Sequence, residues 1–202
     1  MNLLQIDSAI TGDNSVTRQI GAAIVETARR ANPGLNVTYR DLAADPIPHL
    51  DGSAMGKLRG GQGEANDPEV LLNTVLVEEL LAADIVVIGA PMYNFSVPSQ
   101  LKAWIDRVAV PGKTFRYTEN GPLGLAGGKK VFIASARGGI YSEGPGAAID
   151  FQEPFLRQVF AFFGIDDVTF IRAEGVAYGP DHFKAALDAA ISEASGVLPL
   201  AA

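Results

Sequence analysis

Hydrophobic positions along this chain switch repeatedly between two periods. The run Asp84-Ile85-Val86-Val87-Ile88-Gly89 is almost continuously apolar and rich in β-branched residues. Such a run predicts a central strand of a parallel sheet, covered on both faces. From about Ser99 the spacing becomes helical, with Leu101, Trp104, Ile105 and Val108 on one stripe. The same exchange recurs from end to end. Strands are predicted over 3–7, 35–40, 84–90, 130–136 and 168–173. Between them, Ile20, Ile24, Val25 and Ala28 mark a helix starting about Ser15 and stopped by Asn32-Pro33-Gly34. A second, over 68–82, places Leu72, Val75, Leu76 and Leu80 on its apolar face. Others are predicted over 153–164 and from Pro180 onward, the last with Phe183, Leu187, Ile191 and Ala194 on one face. The stretch 41–48 is turn-rich, and 52–63 reads as a loose, glycine-rich, mobile insertion.

Five strands separated by helices predict an α/β fold, a doubly wound parallel sheet with helices on both faces. Strand count favours the five-stranded flavodoxin-like order over the six-stranded dinucleotide order. The first loop agrees, because Ser8-Ala9-Ile10-Thr11-Gly12-Asp13-Asn14-Ser15-Val16-Thr17 lacks the Gly-x-Gly-x-x-Gly pattern. With 202 residues and no linker or repeat, the expectation is one domain over 1–202.

Composition narrows the function. A net charge of −7 argues against nucleic acid or an anionic membrane as a partner. No cysteine is present, which removes disulfides, thiolate chemistry and zinc–sulfur sites. No run approaches membrane-span length and no signal-like segment is seen, so the expected location is cytoplasmic.

The candidate chemistry lies in three loops, each following a predicted strand. Hydroxyls at Ser8, Thr11, Ser15 and Thr17 surround the start of the first helix, an uncharged cradle suited to a phosphate. Ser15 also serves as an ordinary N-cap there, and Asp13 is expected to point outward. Ala90-Pro91-Met92-Tyr93-Asn94-Phe95 ends the central strand with aromatic and thioether surface and one amide. That suits a large planar ring held by edge and face, since a carboxamide both donates and accepts. The third loop, Ser135-Ala136-Arg137-Gly138-Gly139, offers paired glycines for close backbone approach. Its Arg137 suits an anionic ring edge or a phosphate, or else a surface salt bridge.

Other motifs fail on context. Gly112-Lys113-Thr114 resembles the end of a P-loop, but it follows a helix and Arg107 stands where the earlier glycine is needed. His49 and His182 are far apart and lack clustered carboxylates, so no metal site is expected. No Gly-x-Ser-x-Gly elbow exists for a serine nucleophile.

Taken together, Ala90-Pro91-Met92-Tyr93-Asn94-Phe95, Thr114-Phe115-Arg116-Tyr117-Thr118-Glu119-Asn120-Gly121-Pro122 and Arg137-Gly138-Gly139 resemble the FMN-dependent NADH-azoreductases. Ser99-Gln100-Leu101-Lys102, Phe162-Phe163-Gly164-Ile165 and Ala173-Glu174-Gly175 extend the likeness over nearly the whole chain. The resemblance implies a flavodoxin-like homodimer binding FMN, with each site completed by the partner subunit. The family's serine positions match Ser8 and Ser15-Val16-Thr17, while Ala9 and Ala136 replace serines and offer only backbone groups. Met92, Tyr93, Asn94 and Phe95 would contact the flavin, Asn94 at its edge, the Gly138 and Gly139 N–H groups would lie near its pyrimidine side, and Arg137 would belong to the same cofactor-binding set. Tyr117 and Phe162 would form the apolar wall against which nicotinamide and acceptor stack.

The implied activity is transfer of two electrons from NADH or NADPH to quinones and azo compounds by a ping-pong mechanism. No side chain need be catalytic, because the flavin carries the hydride. The rival readings are a quinone reductase with incidental azo cleavage, a flavodoxin-type electron carrier, and a flavin-binding module without turnover. Segment 111–127 favours an enzyme, since a carrier has no need of it. Its Phe115, Tyr117 and Leu123, with Trp104 and Val108 before it, predict an apolar patch for a second copy to cover.

Overall fold

Alternate residues along the buried strands of the main sheet enter two different cores. A computed structural model describes residues 1–198; the last four residues of the predicted domain, 199–202, lie outside the described residues. The elements run β1 (Asn2–Asp7), α1 (Val16–Ala31), β2 (Asn36–Asp41), α2 (Gly52–Arg59), α3 (Pro68–Ala82), β3 (Ile85–Pro91) and α4 (Ser99–Val108). They continue with β4 (Phe115–Thr118), β5 (Gly121–Gly124), β6 (Lys130–Ala136), α5 (Glu153–Phe162), β7 (Asp167–Ala173) and α6 (Pro180–Ala194). The main sheet has five parallel strands in the order β2-β1-β3-β6-β7, the predicted doubly wound arrangement.

On one face Leu4, Ile6, Val86, Ile88 and Ile133 pack against α3, α4 and α5. On the other Leu3, Val87, Phe132 and Ile171 pack against α1 and α6. The period of two divides the residues between the faces, and β3 at the centre is buried at every position. Local signals fix the helix starts. Ser15 caps α1 by accepting from Arg18 N, and Asp67 with Pro68 opens α3.

Three expectations are corrected. The stretch 52–63 is not a loose insertion, because it contains α2. Asp51 Oδ1 caps α2 by accepting from Ala54 N at 2.7 Å. Lys57 pairs with Asp67 at 2.8 Å, and Arg59 Nη2 donates to Ala109 O at 2.7 Å, closing the end of α4. On α3, Val75 is exposed while Asn73 and Val77 are buried beside Leu76 and Leu80, so the buried face is rotated from the predicted stripe. Segment 111–127 folds as the antiparallel hairpin β4–β5, and Phe115 is buried against its own chain. Trp104 and Val108 are core residues with no exposure, so they extend no surface patch. What the hairpin leaves exposed are Tyr117, at 74%, and Leu123, at 45%.

Candidate active site

The helix after β1 covers one face of the sheet and the helix after β3 covers the other. Adjacent strands with opposed connections leave a crevice at their carboxyl ends, where open α/β sheets take ligands. A groove of about 240 Å³ lies there, and all three predicted loops reach it. Thr11, Ser15 and Thr17 come from the first loop, Met92 and Tyr93 from the second, Ala136 and Gly138 from the third.

At one end the groove meets the start of α1. Ser15 Oγ and Thr17 Oγ1 lie 3.0 Å apart, and Arg18 N donates to Ser15 Oγ at 3.3 Å. Val16 and Thr17 are the first residues of the helix, so their N–H groups have no carbonyl one turn back. Two free donors, two hydroxyls and the helix dipole suit a phosphate. Asp13 is exposed, as predicted. Ser8 is corrected: it is fully buried and its hydroxyl donates to Gly89 O at 2.6 Å, so it braces the loop against β3. Ala9 is buried too, and its carbonyl accepts from Arg18 Nη2 at 3.2 Å.

Arg18 escaped the sequence reading. It also pairs with Asp41 at 2.7 Å and donates to Tyr39 Oη at 2.8 Å, so it ties the first loop to the end of β2. Its guanidinium holds Asp41 below the ordinary carboxylate range. Asp7 is buried beside this group, and its Oδ1 has no donor among the described residues. Burial raises its pKa even though Tyr39 and Arg18 oppose the shift. Burial, then the neighbouring Asp7, pushes the Tyr39 hydroxyl up to about 12.

The second loop is a closed turn in which Tyr93 and Ser96 exchange N–H···O bonds of 3.0 and 3.1 Å. Inside it Asn94 and Phe95 have φ of +48° and +71°, the non-glycine residues with positive φ among those described. Two adjacent left-handed residues, one aromatic, store backbone strain of the kind found at ligand clamps. The turn is held from outside. Met92 N donates to Ala136 O at 2.8 Å, Ile10 N to Tyr93 Oη at 3.2 Å and Phe151 N to Phe95 O at 3.1 Å. Phe95 meets Tyr141 edge to face at 6.2 Å. Asn94 is exposed, its carboxamide available to a ligand.

Arg137 is corrected as well. Its side chain is 0% exposed, neither a surface salt bridge nor a ligand-facing group. Nη2 donates to Glu153 Oε1 at 2.6 Å, Nη1 pairs with Asp150 and Glu174 at 3.1 and 3.2 Å, and Nε donates to Ser135 Oγ at 3.0 Å. Gln152 joins this network, donating to Ala90 O at 3.0 Å and accepting from Ser135 Oγ at 2.9 Å. Burial works against the Glu174 carboxylate, but hydrogen bonds from Ser142 and Tyr141 N, with Arg137 nearby, keep its pKa low. The network fixes the loop's course, while Gly138 and Gly139 send their carbonyls to Ala177 N and Gly175 N. A Cβ on Gly139 would stand 3.3 Å from the Tyr141 ring, so glycine keeps this backbone close to the groove.

Tyr117 and Phe162 are not brought to this groove by their own chain. Phe115 meets Phe162 at 4.3 Å in a tilted contact and Tyr117 edge to face at 5.5 Å, in a cluster built from β4 and the end of α5. α5 starts beside Arg137 and runs back toward the start of β7, which places the cluster at the opposite end of the sheet.

The fold and groove define a flavodoxin-like, mononucleotide-binding protein. The flavodoxin-like fold family model matches residues 1–198. A Ralstonia nicotianae protein named FMN-dependent NADH:quinone oxidoreductase is 57% identical, over 94% of this chain and 93% of its own. A Bacillus anthracis azoreductase structure superposes with TM-score 0.84 at 30% identity, covering 98% of both chains. A second from that species, an FMN-dependent NADH-azoreductase in complex with FMN, gives 0.83 at 25% identity, covering 96% of this chain and 98% of its own. This chain belongs to the FMN-dependent NADH:quinone oxidoreductase and azoreductase family.

Proposed function

We propose that this chain binds FMN and passes two electrons from NADH to quinones, and to azo compounds, with one site serving donor and acceptor in turn. The observation that supports the reading is the meeting of three loops at one groove, with unpaired helix N–H groups at one end and a strained aromatic turn beside them. FMN held there would supply the two-electron redox chemistry between donor and acceptor.

The protein's part is holding and shielding. Val16 and Thr17 N–H, with the Ser15 and Thr17 hydroxyls, hold the phosphate, and Arg18 keeps the loop carrying them in place. Met92, Tyr93 and Phe95 supply flat apolar surface, and Asn94 hydrogen-bonds a ring edge. Gly138 and Gly139 approach through backbone, along a path that buried Arg137 fixes. Tyr117 and Phe162 stand far from their own groove, which supports a homodimer in which each copy walls the other's site. Use of a reduced nicotinamide donor supports the cytoplasm as the reaction's compartment.

Heat release and chromatography of the bound flavin, followed by anaerobic stopped-flow reduction with NADH and mixing with a quinone and an azo dye, tests the reading. Released FMN, fast reduction and fast reoxidation by either acceptor are expected. Reduction without turnover of either acceptor would return the chain to the electron-carrier class.

A further inference from the structure

A second cavity, of about 230 Å³, lies between α2, α3 and the stretch 110–113, and shares no lining residue with the groove. Five aliphatic side chains, Leu58, Val70, Val77, Leu81 and Val110, line it beside Thr74 and a rim of charged residues. Set among them is Asn73, which is 6% exposed and whose Oδ1 has no donor among the described residues. Folded proteins rarely leave such an atom unmatched. The last torsion of asparagine is soft, so either end of the amide can be turned to the cavity.

The charges at its edge are unequal in standing. Lys57 is matched by Asp67 at 2.8 Å. Lys113 is exposed and makes no salt bridge among the described residues, and Glu78 is the one carboxylate in the lining. The volume of this partly open cavity exceeds the 150 Å³ that takes a benzene ring. The unmatched oxygen calls for a hydroxyl or amino donor, and the free ammonium calls for an anion.

We propose that this cavity is a second binding site, taking a single-ring aromatic acid that carries a hydroxyl or amino group. The ring fills the aliphatic chamber, its donor meets Asn73 and its carboxylate meets Lys113. The site is separate from the flavin groove and does not depend on the redox reading.

Isothermal titration of the flavin-loaded protein with 4-hydroxybenzoate, with the flavin absorbance followed in parallel, tests this. One ligand per chain and an unchanged flavin spectrum are expected. Asn73→Leu should weaken binding roughly tenfold, the loss of one hydrogen bond. Val77→Phe should abolish binding by filling the chamber. Exposed Lys113→Ala, which leaves the core untouched, should weaken 4-hydroxybenzoate severalfold and leave 4-methylphenol unchanged. No binding at millimolar ligand would overturn the proposal. So would binding that perturbs the flavin spectrum and survives all three substitutions.

Discussion

Arg137 and Glu153 form an ion pair of 2.6 Å between two side chains withdrawn from solvent, directly beneath the glycine loop. Removing Arg137 leaves Asp150 and Glu174 without their shared buried cation, while Glu153 keeps Arg172 at 2.6 Å; stripping the partner from buried charges typically costs about 3–5 kcal/mol. Arg137→Met should therefore lower stability by that order and weaken FMN binding with it. Glu153→Gln should cost less, because Asp150 and Glu174 still face the guanidinium. Urea unfolding with and without FMN checks both.

The strained turn separates backbone from side chain at Asn94. Asn94→Ala should weaken FMN by about 1–2 kcal/mol, the usual loss when a ring-edge polar group is left without its partner. Asn94→Gly should show the same loss of affinity with a more stable fold, since glycine accepts the φ of +48° without penalty. Fluorimetric titration of the apoprotein reads affinity, and thermal unfolding reads stability. Unchanged affinity in both variants would leave Asn94 with a backbone role only.

Asp7 gives a prediction in pH. Burial raises its folded pKa above the ordinary 3.8, so its contribution favours the fold below 3.8 and is lost as pH rises through the raised value. Asp41, held low by Arg18, has the opposite sign, and its stabilisation is lost as pH falls through its lowered pKa. Comparing wild type with Asp7→Asn isolates the first effect. The stability of the variant relative to wild type should rise with pH above 3.8 and then level. A pH-independent difference in urea unfolding would show that Asp7 does not titrate in that window.

Much of this was legible in the sequence, for physical reasons that also mark where it was not. The all-apolar β3 and the stripe of α4 follow from period alone, and both are observed. The three loops were visible because the carboxyl ends of parallel strands are where such sheets bind ligands. What failed was partnership at a distance. Nothing near Ser8 in the chain announces the Gly89 carbonyl, 81 residues away, that takes its hydroxyl. Arg137 reads as a ligand-binding arginine until Asp150, Glu153 and Glu174 are seen around it. The helix α2 was hidden by its glycines, and it is held by Asp51 and by side-chain contacts to other elements.

The proposed dimer yields the last prediction. Phe115 is unsuitable as a probe, because it is 5% exposed and its replacement by a charge would damage the monomer. Tyr117 and Leu123 are exposed on the hairpin, so charging them leaves the core intact. If a second copy covers this surface, an isologous contact doubles the effect of each substitution. Tyr117→Glu with Leu123→Glu should shift sedimentation velocity toward monomer and lower NADH-driven quinone turnover together, with the circular dichroism spectrum unchanged. FMN content should fall less than turnover, because the phosphate and ring-edge contacts belong to the groove of the same chain. A mixed dimer of this variant with Asn94→Ala should regain part of the activity, since one of its two sites then has both an intact groove and an intact wall. A monomer with full turnover would refute the arrangement and leave Tyr117 and Phe162 with no role beyond their contacts to Phe115.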